Sequence, residues 1–252
     1  MTRLAVENLT LRFGGLTAID GVSFEVRSGE VFTMIGPNGA GKTSIFNVIS
    51  RFYAPSAGRL HFDDRDITEV PAHAVAQLGI ARTFQNIELF ENATVLDNLL
   101  VGRHRHRTTA FWQELLFLPG VRRAERAHRR RVEEIIDFLE LQKYRDQRIA
   151  GLPYGVRKIC ELARALCTEP KLLLLDEPSS GLNVEETEDM AFWIHDIRKE
   201  LGITVLMVEH DMTLVSRVSD RVLALNYGRV LALGTPQEIQ RNPDVAAAYL
   251  GA

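Results

Sequence analysis

The spacing of hydrophobic positions changes character twice along this chain, and each change marks an expected structural boundary. Near the start, Leu4, Val6 and Leu9 open one strand-like segment, while Val22, Phe24 and Val26 alternate with polar residues as a half-buried strand does. Ser28-Gly29 turns the chain into Val31 to Ile35, a continuous apolar run suited to a buried parallel strand. A glycine-rich loop follows, then a helical segment from about Lys42 to Arg51, and Ile80 to Phe84 reads as a further strand.

From about Thr94 to Cys167 the spacing is mostly helical. Val132, Ile135, Ile136 and Leu139 fall at i, i+3, i+4 and i+7, one apolar face. Within this block, Gly102 to Arg131 is polar and basic, interrupted by Phe111-Trp112 and Leu115-Leu116-Phe117, and reads as an insertion or an appended helix pair.

Strand and helix then alternate again. Leu172 to Leu175 is a buried strand, and Met190, Ile194, Ile197 and Leu201 form the inner stripe of a helix. Glu185 and Glu186 at its start and Arg198-Lys199 near its end match the helix dipole, and Gly202 supplies a stop. Ile203 to Val208 is the next strand, and Thr235-Pro-Gln-Glu238 forms a capping box with proline in the first turn of a short final helix. Alternating strands and helices around a largely parallel sheet, interrupted by a helical block, is the expected α/β architecture.

Composition narrows the functional classes. A chain of 252 residues that is 46% hydrophobic and 25% charged can bury a substantial core, and a net charge of -3 gives no overall polyanion-binding character. The two cysteines, Cys160 and Cys167, are too far apart for a CxxC motif and have no histidine cluster beside them, so they are expected as buried thiols in a reduced compartment. Glu7 interrupts what a secretory signal would need as an apolar core, and no apolar run approaches the ~20 residues of a membrane helix. The expected location is therefore cytoplasmic, with any membrane role exercised through partners.

Two motifs carry the chemistry. Gly36, Pro37, Asn38, Gly39, Ala40, Gly41, Lys42 and Thr43 fit GxxxxGK[ST] between a strand and a helix. Backbone N–H groups of such a loop turn inward around phosphates, and the helix N-terminus adds a partial positive field. Lys42 is placed to reach the β- and γ-phosphates, the Thr43 hydroxyl to coordinate Mg²⁺, and Ser44 to add a contact towards the α-phosphate. The second motif, Asp176-Glu177, ends the buried strand Leu172 to Leu175, where open α/β sheets bind ligands. Asp176 is expected to hold the metal through water, and Glu177 to polarise the attacking water as general base.

Further residues lie around these motifs in a set order: Gln85 after the Ile80 to Phe84 strand, Leu152-Pro-Tyr-Gly155-Val-Arg-Lys158 before a helix, Ser180-Gly-Leu-Asn183 after Glu177-Pro178, and His210 after the Ile203 to Val208 strand. In this order the chain resembles the ATP-binding cassette (ABC) ATPases over essentially its whole length. The resemblance implies a P-loop NTPase core with a parallel sheet, an antiparallel β subdomain and an inserted helical subdomain. It divides a single ABC ATPase domain over 1–252 into a nucleotide-binding core, 1–93 and 168–252, and a helical subdomain, 94–167, with its insertion at about 102–131. It also implies that Phe13 stacks on adenine and that His210 contacts the γ-phosphate. Gln85 is implied to sense the nucleotide, to join Thr43 and Asp176 in the metal set and to couple to a transmembrane subunit.

The family works as a dimer, with ATP between one P-loop and the partner's signature loop. Here that loop, Leu152, Pro153, Tyr154, Gly155 and Val156, departs from the usual LSGGQ: Pro153 replaces the serine, Tyr154 a glycine and Val156 the glutamine. Gly155 and the following helix N-terminus remain for anion recognition by backbone N–H. Asn183 likewise replaces the usual aspartate. These departures, with Arg12-Phe-Gly-Gly15, the insertion after Asn98 and the ending Asn242-Pro-Asp-Val to Ala-Tyr-Leu-Gly251, are similar to the larger ATPase subunit of branched-chain amino-acid importers.

That resemblance implies MgATP as the cofactor set and transmembrane permeases as partners. It adds a second ATPase subunit in a heterodimer (or a homodimer), an external solute-binding protein acting indirectly, and a peripheral place on the cytoplasmic face of the inner membrane. Relatives serving urea, amides or aromatic acids, and the lipopolysaccharide-export ATPase, are alternative readings. A DNA-repair ABC ATPase is another, since Arg103-His-Arg-His-Arg107, Arg122-Arg123 and Arg129-Arg-Arg131 are basic. The chain lacks a long coiled coil, however, and a helical charge run is usually a solvated face, so nucleic acid is not the expected partner.

Overall fold

The computed structural model describes residues 1–106 and 119–250. Phe111-Trp112, Leu115-Leu116-Phe117, Arg107 and Gly251 lie outside the described residues. Contacts divide the chain into two compact units, Met1–Gln85 with the chain from Lys171 onward, and Asn86–Pro170.

The first unit opens with β1 (Thr2–Phe13) and β2 (Leu16–Arg27), paired antiparallel. Leu4 and Val6 are buried from one parity of β1, Leu9 and Leu11 from the other. The switch occurs at Asn8, whose φ of 47° marks a bulge where the pairing with β2 shifts register. β3 (Val31–Ile35), buried at every position, feeds α1 (Lys42–Ile49). β4 (Ala57–Phe62) and β5 (Arg65–Asp66) then complete an antiparallel sheet in the order β2-β1-β4-β5. α2 (Ala72–Leu78) leads into β6 (Ile80–Arg82).

The second unit is helical. α3 (Val95–Gly102) starts in a capping box of Thr94 and Asp97, and Asn98 inside it ties back to the preceding loop. The Asn98 carboxamide accepts from Phe90 N at 2.8 Å and donates to Phe90 O at 3.1 Å and Thr94 O at 2.9 Å. α4 (Pro119–Phe138) buries Val132, Ile135 and Ile136, and α5 (Tyr154–Leu166) closes the bundle. Glu169 joins Arg103 at 3.2 Å and Arg131 at 2.8 Å in this unit. Cys160 and Cys167 are buried free thiols, each pushed up to about 12 by burial.

Back in the first unit, β7 (Leu172–Asp176) and α6 (Val184–Leu201) follow, with Asn183 and Glu186 as the helix's capping box and Gly202 ending it at φ 65°. β8 (Thr204–Val208), α7 (Met212–Val218), β9 (Arg221–Asn226) and β10 (Arg229–Gly234) precede α8 (Pro236–Gln240) and α9 (Pro243–Leu250). The capping box expected at Thr235 and Glu238 is formed. The second sheet runs β10-β9-β3-β8-β7-β6, parallel except for the β10–β9 pair. β3, β7 and β8 are buried at every position, as strands covered on both faces are. Phe32, Phe46, Leu4 and Leu60 meet in the main core, which joins α1 to both sheets. β3 and β7 flank β8 and run parallel to it, so the loops at their carboxyl ends leave the same edge of the sheet.

Candidate functional site

The loop from Gly36 to Gly41 leaves β3 and enters α1 with Gly41 as N-cap at φ 100°. A side chain at 41 would set its Cβ 2.8 Å from the Ala18 carbonyl, so only glycine lets the loop pass β2 this closely. Lys42 is 8% exposed, and its Nζ donates to Gly36 O at 2.6 Å and Pro37 O at 3.1 Å. Burial pulls this ammonium below the usual lysine value, while the Glu177 and Asp176 carboxylates pull the other way. A desolvated cation of this kind gains more from an anion than one in water does.

A cavity of about 570 Å³ opens over the loop, lined by Phe13, Leu16, Thr17, Ala18, Asn38, Gly39, Ala40, Gly41, Lys42, Thr43, Ser44, Gln85, Glu177 and Tyr227. The structure thus brings Phe13, the loop from Asn38 to Ser44, Gln85 and Glu177 to one space. Phe13, 44% exposed, stands edge-on to Tyr53 with ring centres 5.1 Å apart, a partly open aromatic face at the cavity rim. Gln85 Nε2 donates to Glu177 Oε2 at 2.8 Å, so the expected sensor holds the expected base. Glu177 adopts φ 49°, an uncommon backbone for a non-glycine residue, and its N–H donates to Val208 O at 3.0 Å. Held strain of this kind clusters at functional positions.

Gly36, Pro37, Asp176 and His210 do not line that cavity. Gly36 and Pro37 lie beneath it and hold Lys42 through their carbonyls. Asp176 is buried at the end of β7, where Arg82 Nη2 donates to its Oδ2 at 2.8 Å. Arg82 also reaches α1 through Asn47 Oδ1 at 2.8 Å, and its guanidinium lies 5.2–5.9 Å from the ring centres of Phe46, Phe52 and Phe84. His210 is exposed just after β8. Its backbone N–H donates at 2.9 Å to Glu209, a fully buried carboxylate that also accepts from Ser179 N at 2.8 Å and Asp211 N at 3.3 Å.

Three residues here escape sequence pattern: Arg82, Glu209 and Tyr227. Arg82 and Glu209 each carried a signal, a charge within or directly after an otherwise apolar strand, which calls for a buried partner. Tyr227-Gly228 carried only a turn signal.

In the second unit, the loop Leu152 to Val156 forms the start of α5 with Pro153 at the N-cap, which provides no side-chain cap. Leu152 and Gly155 are buried, while Tyr154 is 39% exposed with the Arg157 guanidinium 6.0 Å from its ring centre.

Oxygen donors suited to a hard divalent cation are present, as the Thr43 hydroxyl and the Gln85 and Glu177 side chains share the cavity and the Asp176 carboxylate lies at the end of β7. Among the described residues, no cluster of three or more His, Cys, Asp or Glu side chains could bind a metal unaided. These oxygen donors fit a hard cation that keeps other ligands, as Mg²⁺ on a nucleotide does.

Residues 19–180 match the family described as ABC transporter, and residues 229–252 match the family described as branched-chain amino acid ATP-binding cassette transporter. The chain is 44% identical over 248 residues to the high-affinity branched-chain amino acid transport ATP-binding protein BraF of Pseudomonas aeruginosa, covering 98% of this chain and 97% of the relative. It is 40% identical to the corresponding LivG of Escherichia coli, with the same coverage of each chain. A solved nucleotide-free ATP-binding cassette from an ABC transporter superposes at a TM-score of 0.87 with 31% identity, covering 100% of both chains. Another, an ABC transporter cassette in its ADP conformation, also gives 0.87, at 30% identity and full coverage of both.

Proposed function

The chain belongs to the ABC transporter ATP-binding family, and from that premise we propose that it is the larger ATPase subunit of an importer for branched-chain amino acids. It is a nucleotide-binding ATPase. The observation that carries the catalytic reading is the single cavity in which the phosphate loop, Thr43, Gln85 and Glu177 meet.

Phosphoryl transfer to water needs charge neutralisation and an aligned nucleophile more than covalent help. Backbone N–H groups from Asn38 to Ser44, together with Lys42, bind the phosphates, and Phe13 stacks on the adenine. Glu177 accepts a proton from water at its Oε atoms as that water attacks, and Gln85, donating to Oε2, orients the carboxylate. His210 reaches the γ-phosphate from its own loop. Thr43, Gln85 and Asp176 would hold Mg²⁺, which when bound would supply charge neutralisation on the phosphate oxygens. Arg82 positions Asp176.

Residues 1–93 and 168–252 act as the nucleotide-binding core and 94–167 as the helical subdomain. Leu152 to Val156 serves the nucleotide of a partner ATPase subunit, through backbone N–H groups where the usual serine is Pro153. Among the described residues no helix is long and apolar enough to cross a membrane. The chain acts at the inner face of the membrane through permease partners, a reading that the names of the transport ATP-binding relatives support. An external binding protein delivers the solute to those permeases. The names of the 44% and 40% identical relatives support branched-chain amino acids as cargo.

The test reconstitutes the chain with its co-encoded permeases, second ATPase and binding protein in vesicles, and measures ATP hydrolysis and uptake across an amino-acid panel. Stimulation by leucine, isoleucine or valine is expected. Stimulation confined to urea, amides or aromatic acids would overturn the cargo while leaving the ATPase.

A further inference from the structure

The turn between β9 and β10 breaks a local rule. Its two central residues, Tyr227 and Gly228, take φ values of 45° and 74°, and the flanking Asn226 and Arg229 are paired. Two-residue hairpins with positive φ at both centres favour asparagine or aspartate first and glycine second. Gly228 conforms, because a Cβ there would lie 2.7 Å from the Ala18 carbonyl. Tyr227 does not: a bulky side chain in this region is an outlier. Nor does core burial offset the strain, since Tyr227 is 82% exposed.

Strained residues persist where their surroundings over-determine them, typically at ligand sites. Here the surroundings are the nucleotide cavity itself. Gly228 N donates to Ala40 O of the phosphate loop at 3.0 Å, and Asp20 N donates to Gly228 O at 2.8 Å. Arg229 Nε closes the arrangement on Asp20 Oδ2 at 2.9 Å. The turn is thereby latched to the phosphate loop on one side and to β2 on the other. Tyr227 lines the same cavity as Phe13 and Leu16.

We infer that Tyr227 is a second aromatic contact for the nucleotide base, supplied by the β9–β10 turn as Phe13 is by the β1–β2 turn. The inference rests on the reading of this cavity as the ATP site and extends it to base recognition. A planar base between or beside two rings gains stacking that a bare phosphate chain does not. A strained tyrosine is then retained at a turn where asparagine would fit the backbone better.

The experiment uses the full-length chain with Tyr227→Asn, which keeps a residue tolerant of positive φ, and Tyr227→Phe, which keeps the ring. Calorimetric titration measures affinity for MgATP and for inorganic tripolyphosphate, and melting is followed without nucleotide. Tyr227→Asn is expected to weaken MgATP about ten-fold, within the range of base–aromatic stacking, with tripolyphosphate unchanged. Tyr227→Phe is expected to stay within about two-fold of wild type in MgATP affinity. The melting midpoint of Tyr227→Asn is expected at or above the wild-type value, which a merely structural tyrosine would not give. Wild-type MgATP affinity in Tyr227→Asn, or equal loss of MgATP and tripolyphosphate, overturns the inference alone. A wild-type chain that binds no MgATP overturns the ATPase reading beneath it.

Discussion

Replacing Arg82 with methionine should be among the most damaging single changes outside the phosphate loop. The guanidinium and the Asp176 carboxylate are 9% and 4% exposed and 2.8 Å apart, so the pair is shielded from water. Removing one member of a buried pair leaves the other charge uncompensated and typically costs about 3–5 kcal/mol. Methionine refills part of the space among Phe46, Phe52 and Phe84 but recovers none of the cation–π attraction, worth roughly 0.5–2 kcal/mol per desolvated contact. A loss of about 3–5 kcal/mol is a large share of the 5–15 kcal/mol that holds typical domains folded. Urea unfolding followed by circular dichroism, without nucleotide, measures it directly. The double variant Arg82→Met/Asp176→Leu should recover more than half of the loss, since an apolar pair can substitute for a buried ionic one. A loss below about 1 kcal/mol for Arg82→Met would refute the reasoning, because it would place the pair among solvent-screened ones.

Other expectations follow from the site and its supports. Glu177→Gln should bind MgATP within about three-fold of wild type yet lower hydrolysis about 10²–10⁴-fold in single-turnover assays; hydrolysis at the wild-type rate would remove Glu177 as the base. Lys42→Met should weaken MgATP binding more than about ten-fold, while its urea midpoint without nucleotide stays level or rises, because a buried ammonium is removed. Burial raises the Glu169 carboxyl, but the charges of Arg103, His106 and Arg131 outweigh this and leave it below the usual 4.5. Its stabilising contribution is therefore fully present above pH 4.5 and lost as pH falls through the depressed folded value. Glu169→Gln should flatten the acid limb of the stability–pH curve, and an unchanged limb would show that this carboxylate is not linked to folding.

The strongly patterned elements were legible in advance. Continuous apolar runs marked β3, β7 and β8 because burial on both faces leaves no room for polar residues. The glycine-rich loop and the Asp176-Glu177 pair were readable because phosphate binding restricts residue type at fixed spacing. What remained hidden depended on pairing across long sequence separations. Arg82 and Asp176 are 94 residues apart, and no local period announces such a contact. The spacing of Leu4, Val6 and Leu9 placed them in one segment but did not show the bulge at Asn8, where the buried parity of β1 shifts. Tyr227 was missed because its turn favours another residue, and local propensity points away from it.

The Glu209 carboxylate spans two loops, and among the described residues its donors are main-chain N–H groups, at Ser179, His210 and Asp211. Such a tie does not depend on which side chains occupy those positions. Variation at 179, 210 or 211 can therefore change the side chains there while the loops keep their mutual placement. Residue 209 sets the position of the loops through main-chain bonds, so the side chain at 210 can be varied separately from it. Substitutions at His210 thus report on its imidazole, largely free of loop displacement.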